Sequence, residues 1–77
     1  MRIIDTKNMK ALSSILIMLT PSEASELASS LEQLDPTIGD HSHVDDLEYK
    51  REITIAVYTD QNQHFFAPEI RDIIAEQ

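Results

Sequence analysis

The stretch that decides the fold is residues 20–36, with the sequence TPSEASELASSLEQLDP. Thr20 is suited to cap a helix, the proline after it to occupy the first helical position, and Glu23 to reach back to the cap. The following residues place an apolar stripe on one helical face, at Ala24, Leu27, Ala28, Leu31 and Leu34. Because a proline disfavours helical geometry in the residue before it, Pro36 ends this pattern. We predict a helix over about 21–34.

The residues before this stretch predict a second helix, over about 6–19. Asp5 or Thr6 can cap it, and apolar residues recur at spacings of three and four, at Met9, Leu12, Leu16 and Leu19. A short connection at Thr20 makes the two helices an antiparallel or steeply crossed pair. Further apolar residues widen the stripe at the end of 6–19, so that turn must be covered by the rest of the fold or by another chain.

A strand is predicted after residues 20–36 in the chain, over residues 51–59. There, β-branched apolar residues alternate with smaller or amphipathic ones, which is typical of a half-buried strand. Residues 36–50, with one glycine and many Asp and His residues, predict a loop. The strand needs a hydrogen-bonding neighbour. The candidates are residues 2–4, residues 64–66 or the same strand of a second copy, and we expect a small antiparallel sheet within one chain.

A last helix is predicted over 68–76, because Pro68 fits its first turn and Ile70, Ile73 and Ile74 form an apolar stripe. The helix pair, the sheet built on 51–59 and this helix together predict an α+β fold. With 77 residues, the chain has the length of one domain, spanning 1–77.

Charge is the most informative feature for function. The formal net charge is −8, and residues 21–49 contain eight carboxylates and no lysine or arginine. Such a segment repels phosphate backbones and anionic membranes and attracts basic surfaces. The longest apolar run, Ile15–Leu19, is far shorter than the ~20 residues of a membrane-spanning helix. The chain contains no cysteine, as is common in the cytoplasm. We expect a cytoplasmic protein that binds neither nucleic acid nor membrane.

The composition also argues against catalysis. A single glycine, Gly39, cannot form a phosphate-cradling loop, and no serine lies in a glycine-flanked nucleophile turn. We expect no enzymatic activity and no cofactor.

A metal site is the alternative that the central loop offers. In an extended segment, His41 and His43 place both rings on one side, and Asp45 can supply a carboxylate. We keep a metal-binding domain with these ligands as an alternative hypothesis.

The sequence favours a small acidic protein-binding module for a basic protein partner, such as an inhibitor or immunity-type protein. Charged and aromatic side chains supply steering and anchoring at such interfaces. The residues predicted to bind the partner are Glu23, Glu26, Glu32, Asp45, Asp46, Glu48 and Tyr58. A self-associating structural module, in the form of a homodimer, is a further alternative.

Overall fold

The structure is a computed structural model that describes residues 1–46 and 48–76. It has an α+β fold with two helices and two antiparallel sheets of two strands each, which confirms the predicted fold class. Along the chain the elements are β1 (Ile3–Asp5), β2 (Lys10–Leu12), α1 (Pro21–Gln33), β3 (His41–Asp45), β4 (Glu52–Ala56), a 3₁₀-helix (Gln63–Phe65) and α2 (Pro68–Ala75).

Helix α1 confirms the prediction over 21–34 to within one residue. The Thr20 hydroxyl accepts from the Glu23 N–H at 3.2 Å, and the Glu23 carboxylate accepts from the Thr20 N–H at 2.9 Å. These two bonds form the expected capping box. The packed face differs from the predicted one, because Leu31 is exposed while Ser30 is half-buried. Part of the apolar stripe of α1 therefore faces outward.

The predicted helix over 6–19 is wrong. Its first half forms an antiparallel hairpin, in which β1 pairs with β2 from Ile3 opposite Leu12 to Asp5 opposite Lys10. Asp5 accepts from the Lys7 N–H at 3.0 Å and from the Asn8 side chain at 2.8 Å. Its carboxylate therefore stabilises a turn instead of capping a helix. Consequently, no helix pair forms with α1.

The predicted strand over 51–59 is confirmed in its centre as β4, but its partner was not foreseen. β4 pairs with β3, with His41 opposite Ala56 and Val44 opposite Ile53. The prediction of a loop over 36–50 is therefore wrong at 41–45, and its residue Leu47 lies outside the described residues. In the described chain, β4 does not pair with residues 2–4 or with 64–66, and most of 64–66 belongs to the 3₁₀-helix.

Helix α2 confirms the prediction over 68–76 and is joined to the start of the chain. The Arg2 guanidinium donates to the carbonyl oxygens of Ile73, Ile74 and Glu76, at 3.3, 3.0 and 2.8 Å respectively. Carbonyl groups at the end of a helix lack the full set of helical partners, and here the Ile73 carbonyl also accepts from the Glu76 N–H at 3.2 Å. Arg2 therefore closes the C-terminal turn of α2 from the strand side of the fold.

Few side chains are fully buried. The buried apolar ones among the described residues are Val44 and Ile73, and the most buried polar one is Asn62, which is 1% exposed. Neither α1 nor α2 is both long and apolar enough to cross a membrane, which holds for the described residues. The fold therefore has a small core and a large accessible surface.

Candidate protein-binding surface

Four carboxylates form the candidate site, which we call the acidic surface: Glu26 and Glu32 on α1, and Asp35 and Asp40 in the connection to β3. Glu26 and Glu32 lie at the two margins of the polar face of α1, about 120° apart around the helix axis. Both side chains are exposed, as is Asp35, while Asp40 is half-buried. The acidic surface therefore extends along the outside of α1 and past its C-terminal end.

Local hydrogen bonds hold the loop part of the acidic surface. The Asp35 carboxylate accepts from the Thr37 hydroxyl at 2.6 Å and from the Thr37 N–H at 2.9 Å. Asp40 accepts from the Asp35 N–H at 3.3 Å. The hydroxyl and N–H of Thr37 hold the pKa of Asp35 below its usual value, because both bonds favour the charged form. Folding therefore favours the charged form of Asp35.

The acidic surface is not neutralised by the chain's own cations. Within residues 1–46 and 48–76, no lysine or arginine lies within ion-pair distance of its four carboxylates. Helix α1 also has no basic residue in its last turn. Its C-terminal end carries the negative end of the helix dipole. The negative potential of this surface therefore reaches the solvent.

Glu23, which was predicted to bind the partner, belongs to the capping box at the start of α1. Its side chain is buried, and one carboxylate oxygen accepts the capping-box bond from Thr20. It stabilises the start of α1, so it is not among the accessible carboxylates.

Asp46 and Glu48, also predicted to bind the partner, are paired with cations that follow them in the chain. The Arg51 guanidinium donates to Asp46 at 2.9 Å, and the Lys50 ammonium lies 3.5 Å from Glu48. The N–H of Lys50 and the groups of Arg51 lower the pKa of Asp46, although burial opposes them. The negative charges of Asp46 and Glu48 are thus balanced by cations within the β3–β4 turn.

Asp45 and Tyr58, the last of the predicted partner-binding residues, lie elsewhere in the fold. Asp45 is half-buried at the end of β3, opposite Glu52 of β4. Tyr58 lines a groove of about 270 Å³ whose apolar wall includes Phe66, Ile70 and Ile74. Neither belongs to the acidic surface, and Tyr58 is half-buried in the wall of this groove.

The proposed metal ligands are only partly brought together. His41 and His43 project from the same face of β3, with ring centroids 5.1 Å apart and ring planes nearly perpendicular. His43 Nδ1 lies 2.9 Å from the Thr54 hydroxyl and 3.2 Å from the Glu52 carboxylate. No cluster of three or more His, Asp or Glu side chains suited to a metal occurs in the described parts of the chain. The metal site stays a prediction, with two of its three ligands adjacent.

The side chains on the outer face of β4 were missed by the sequence reasoning. Thr54 bonds to both His43 and Glu52, and so connects β3 with β4. The signal was present in the alternation of polar residues with Ile53 and Ile55, but their partner strand was read as a loop. The contacts among His43, Glu52 and Thr54 therefore connect the two strands of this hairpin.

The contribution of the Asp46 carboxylate to the stability of the β3–β4 turn should decrease in acid. A carboxyl whose pKa is lowered on folding adds stability above its unfolded pKa, and this stability is lost as pH falls through the lowered folded value. We expect Asp46→Asn to lower the urea unfolding midpoint at pH 7, and we expect its difference from the parent to shrink as pH falls through the lowered pKa of Asp46, because the parent then loses the charged form. Glu32→Gln removes the same charge without breaking a bond and should leave the pH 7 midpoint unchanged. A constant difference between Asp46→Asn and the parent from pH 7 to pH 2.5 would contradict this assignment.

The two candidate functions would thus use different sites on the molecule. A protein partner would use the acidic surface of α1, whereas a metal would use the outer face of β3. The contacts within this one chain therefore have to carry the functional inference. No protein-family model matches the chain, and neither the curated proteins nor the solved structures contain a significant match to it.

Proposed function

We propose that this protein is a binding module that recognises a basic protein partner through the acidic surface. The observation that supports this proposal is that, among the described residues, the carboxylates of the β3–β4 turn are paired with cations, whereas those of the acidic surface are not. The chain's own arginine and lysine balance the carboxylates at the β3–β4 turn, while the four carboxylates of the acidic surface have no such partner in the described chain. An unbalanced field of one sign attracts a partner of the opposite sign and accelerates encounter.

The geometry of the acidic surface indicates what the partner must offer. Carboxylates at the two margins of the polar face of α1 require cationic groups on both sides of a groove that accepts a helix. Between Glu26 and Glu32 lie small side chains, Ser25 and Ser29, which permit close approach. A basic concave surface, rich in arginine or lysine, therefore fits better than a single basic loop.

Inhibition is the form of this function that we favour. A small acidic protein that covers a basic cleft competes with the anionic substrate that the cleft binds, so an inhibitor or immunity-type role follows from the same physics. The absence of cysteine fits a cytoplasmic protein, and we place the interaction there. No catalytic step is included in this proposal.

Charge reversal tests the proposal directly. We expect Glu26→Lys/Glu32→Lys to abolish capture of the partner from native lysate and, once the partner is identified, to weaken its affinity more than tenfold by calorimetry. The affinity of the parent should also fall steeply between 50 and 500 mM NaCl, because exposed charges are screened. Mass spectrometry of the captured proteins measures how much of the partner each variant recovers.

The matched control places the same charge change on α2. Glu69 and Asp72 are exposed, and Glu69→Lys/Asp72→Lys alters the net charge by the same amount. This control should capture the same proteins as the parent. If both double variants capture the parent's set equally, or both lose it equally, the acidic surface of α1 is not the binding site.

A further inference from the structure

Residues 14–19, which we call the unpaired segment, have the side-chain pattern of a strand without having a strand partner. Leu16 and Met18 are 84% and 85% exposed, whereas Ile15 and Ile17 on the opposite side are 48% and 46% exposed. An alternation with a period of two is that of a β-strand with one face against the protein. Both Leu16 and Met18 therefore present most of their surface to solvent, although they also line a cavity together with Val44 and Ile53.

The backbone of the unpaired segment is also free to pair. In the part of the chain that the structure describes, no backbone hydrogen bond joins residues 14–19 to another residue. The residues with positive φ lie elsewhere, at Met9, Gly39 and Tyr49. A row of open N–H and C=O groups beside apolar side chains is a template for another strand.

The accessible area indicates how much surface a partner should cover. The chain exposes 6142 Å², whereas a compact monomer of its mass exposes about 4,800 Å². The excess of about 1,300 Å² exceeds the ~800 Å² that each partner contributes to a standard interface. Because only two apolar side chains in the described chain are buried, an additional apolar interface would complete a core that one copy lacks.

Charge decides which partner fits the unpaired segment. Residues 11–22 contain no charged residue, so this region offers nothing to the basic partner that the acidic surface attracts. Two copies, each with a net charge of −8, repel one another across most of their surface. Residues 11–22 add no charge of their own to this repulsion and expose large apolar side chains, which favours a second copy of the same chain.

We propose that two copies form a symmetric dimer in which their unpaired segments pair as antiparallel strands. A two-fold axis at Ile17 places Ile17 opposite itself and Leu16 opposite Met18 of the second copy. Leu16 and Met18 from both copies then form one apolar cluster, and the open backbone groups bond across the axis. This surface differs from the acidic surface, so partner binding and dimer formation are independent.

The first test is the molar mass in solution. Sedimentation equilibrium at micromolar to 100 µM concentration should give twice the chain mass of 8.8 kDa, and the mass should not fall in 500 mM NaCl. Leu16→Asp/Met18→Asp should give the monomer mass over the same range. A matched control, Leu31→Asp/Ile38→Asp, adds the same charges at apolar sites that are more than half exposed and should remain dimeric. A monomeric parent at 100 µM, or dimeric Leu16→Asp/Met18→Asp, overturns the proposal.

A second test does not depend on destabilising the dimer. Because the chain has no cysteine, Ile17→Cys introduces one thiol, which the two-fold axis places beside its symmetry copy. Oxidised glutathione should convert Ile17→Cys to a disulfide-linked dimer at least tenfold faster than Ile38→Cys, as read on a non-reducing gel. Equal rates for the two variants would show that the copies do not meet at Ile17. A parent that is monomeric at 100 µM but still captures its partner in a salt-sensitive way would reject the dimer and leave the proposed function standing.

Discussion

Replacing Asn62 by alanine is expected to remove most of the folding free energy of this protein. Its side-chain oxygen accepts from the Thr59 N–H at 2.7 Å, and its amide nitrogen donates to the carbonyl oxygens of Pro36 and Val57 at 2.7 and 2.9 Å. One side chain that is 1% exposed therefore joins the end of β4, the turn after it and the connection from α1.

The size of the effect follows from the three backbone groups that Asn62→Ala leaves without partners. A buried polar group left unpaired costs about 1–3 kcal/mol, so we expect a loss of about 3–5 kcal/mol. Small domains have a total stability of roughly 5–15 kcal/mol, and the small core places this protein near the lower value. Urea unfolding followed by circular dichroism measures the loss.

Asn8→Ala is the matched control for Asn62→Ala. The Asn8 amide donates to Asp5 at 2.8 Å in an exposed turn, where water can replace the lost bond, so we expect a loss of less than about 1 kcal/mol. Asn62→Asp keeps the acceptor for Thr59 but sets a buried carboxylate against the carbonyl oxygens of Pro36 and Val57, so at pH 7 it should lose at least as much stability as Asn62→Ala. If Asn62→Ala unfolds within 1 kcal/mol of Asn8→Ala, solvent reaches these groups and the proposed role of Asn62 is wrong.

Gly39→Ala should have the second largest effect on stability. Gly39 has φ = +64°, which is costly for residues with a Cβ. An added Cβ would lie 2.5 Å from Phe65 Cβ and 3.0 Å from Phe65 Cγ. Rotating the phenyl ring cannot move the Phe65 Cβ, so the backbone of the 3₁₀-helix has to shift. Combining backbone strain with overpacking, we expect a loss of about 2–4 kcal/mol in urea unfolding.

A double-variant cycle separates these two causes. In a Phe65→Gly background the steric conflict is absent while the positive φ at Gly39 remains. Gly39→Ala should therefore cost less in that background than in the parent, with a coupling of more than about 1 kcal/mol. An identical cost in both backgrounds would mean that the conflict with Phe65 contributes nothing.

The elements that were predicted correctly are those specified by neighbouring residues. The capping box at Thr20 and Glu23, the β-branched alternation of β4 and the proline at the start of α2 are all local signals. The hairpin β1–β2 was missed because Asp5 can cap a helix or stabilise a turn, and the spacing of Met9 and Leu12 fitted the helix. The local pairing of β1 with β2 decided between the two.

Strand β3 was missed for a related reason. Its sequence, HSHVD, has one apolar residue, Val44, so it lacks the apolar alternation that identifies a strand. Val44 becomes buried only because β4 lies beside it and α1 packs against this sheet. The strand is therefore a product of tertiary contacts, which propensity alone does not reveal.

The candidate site was predictable where exposure follows from helical periodicity. Glu26 and Glu32 are exposed on α1 as expected, whereas Glu23 could not serve a partner because the capping box already uses its carboxylate. The pairing of Asp46 with Arg51 depends on a turn that brings residues five positions apart together, and Tyr49 adopts positive φ within it. Such a turn has no distinctive sequence signal here.

The contact of Arg2 with the last turn of α2 couples two segments that are far apart in the sequence. Terminal segments ordinarily fray independently, because each can gain conformational freedom without disturbing the other. Here the unwinding of α2 would leave the Arg2 guanidinium without its carbonyl acceptors, and the release of β1 would uncover the end of the helix. These hydrogen bonds therefore couple the opening of α2 to the release of the residues before β1.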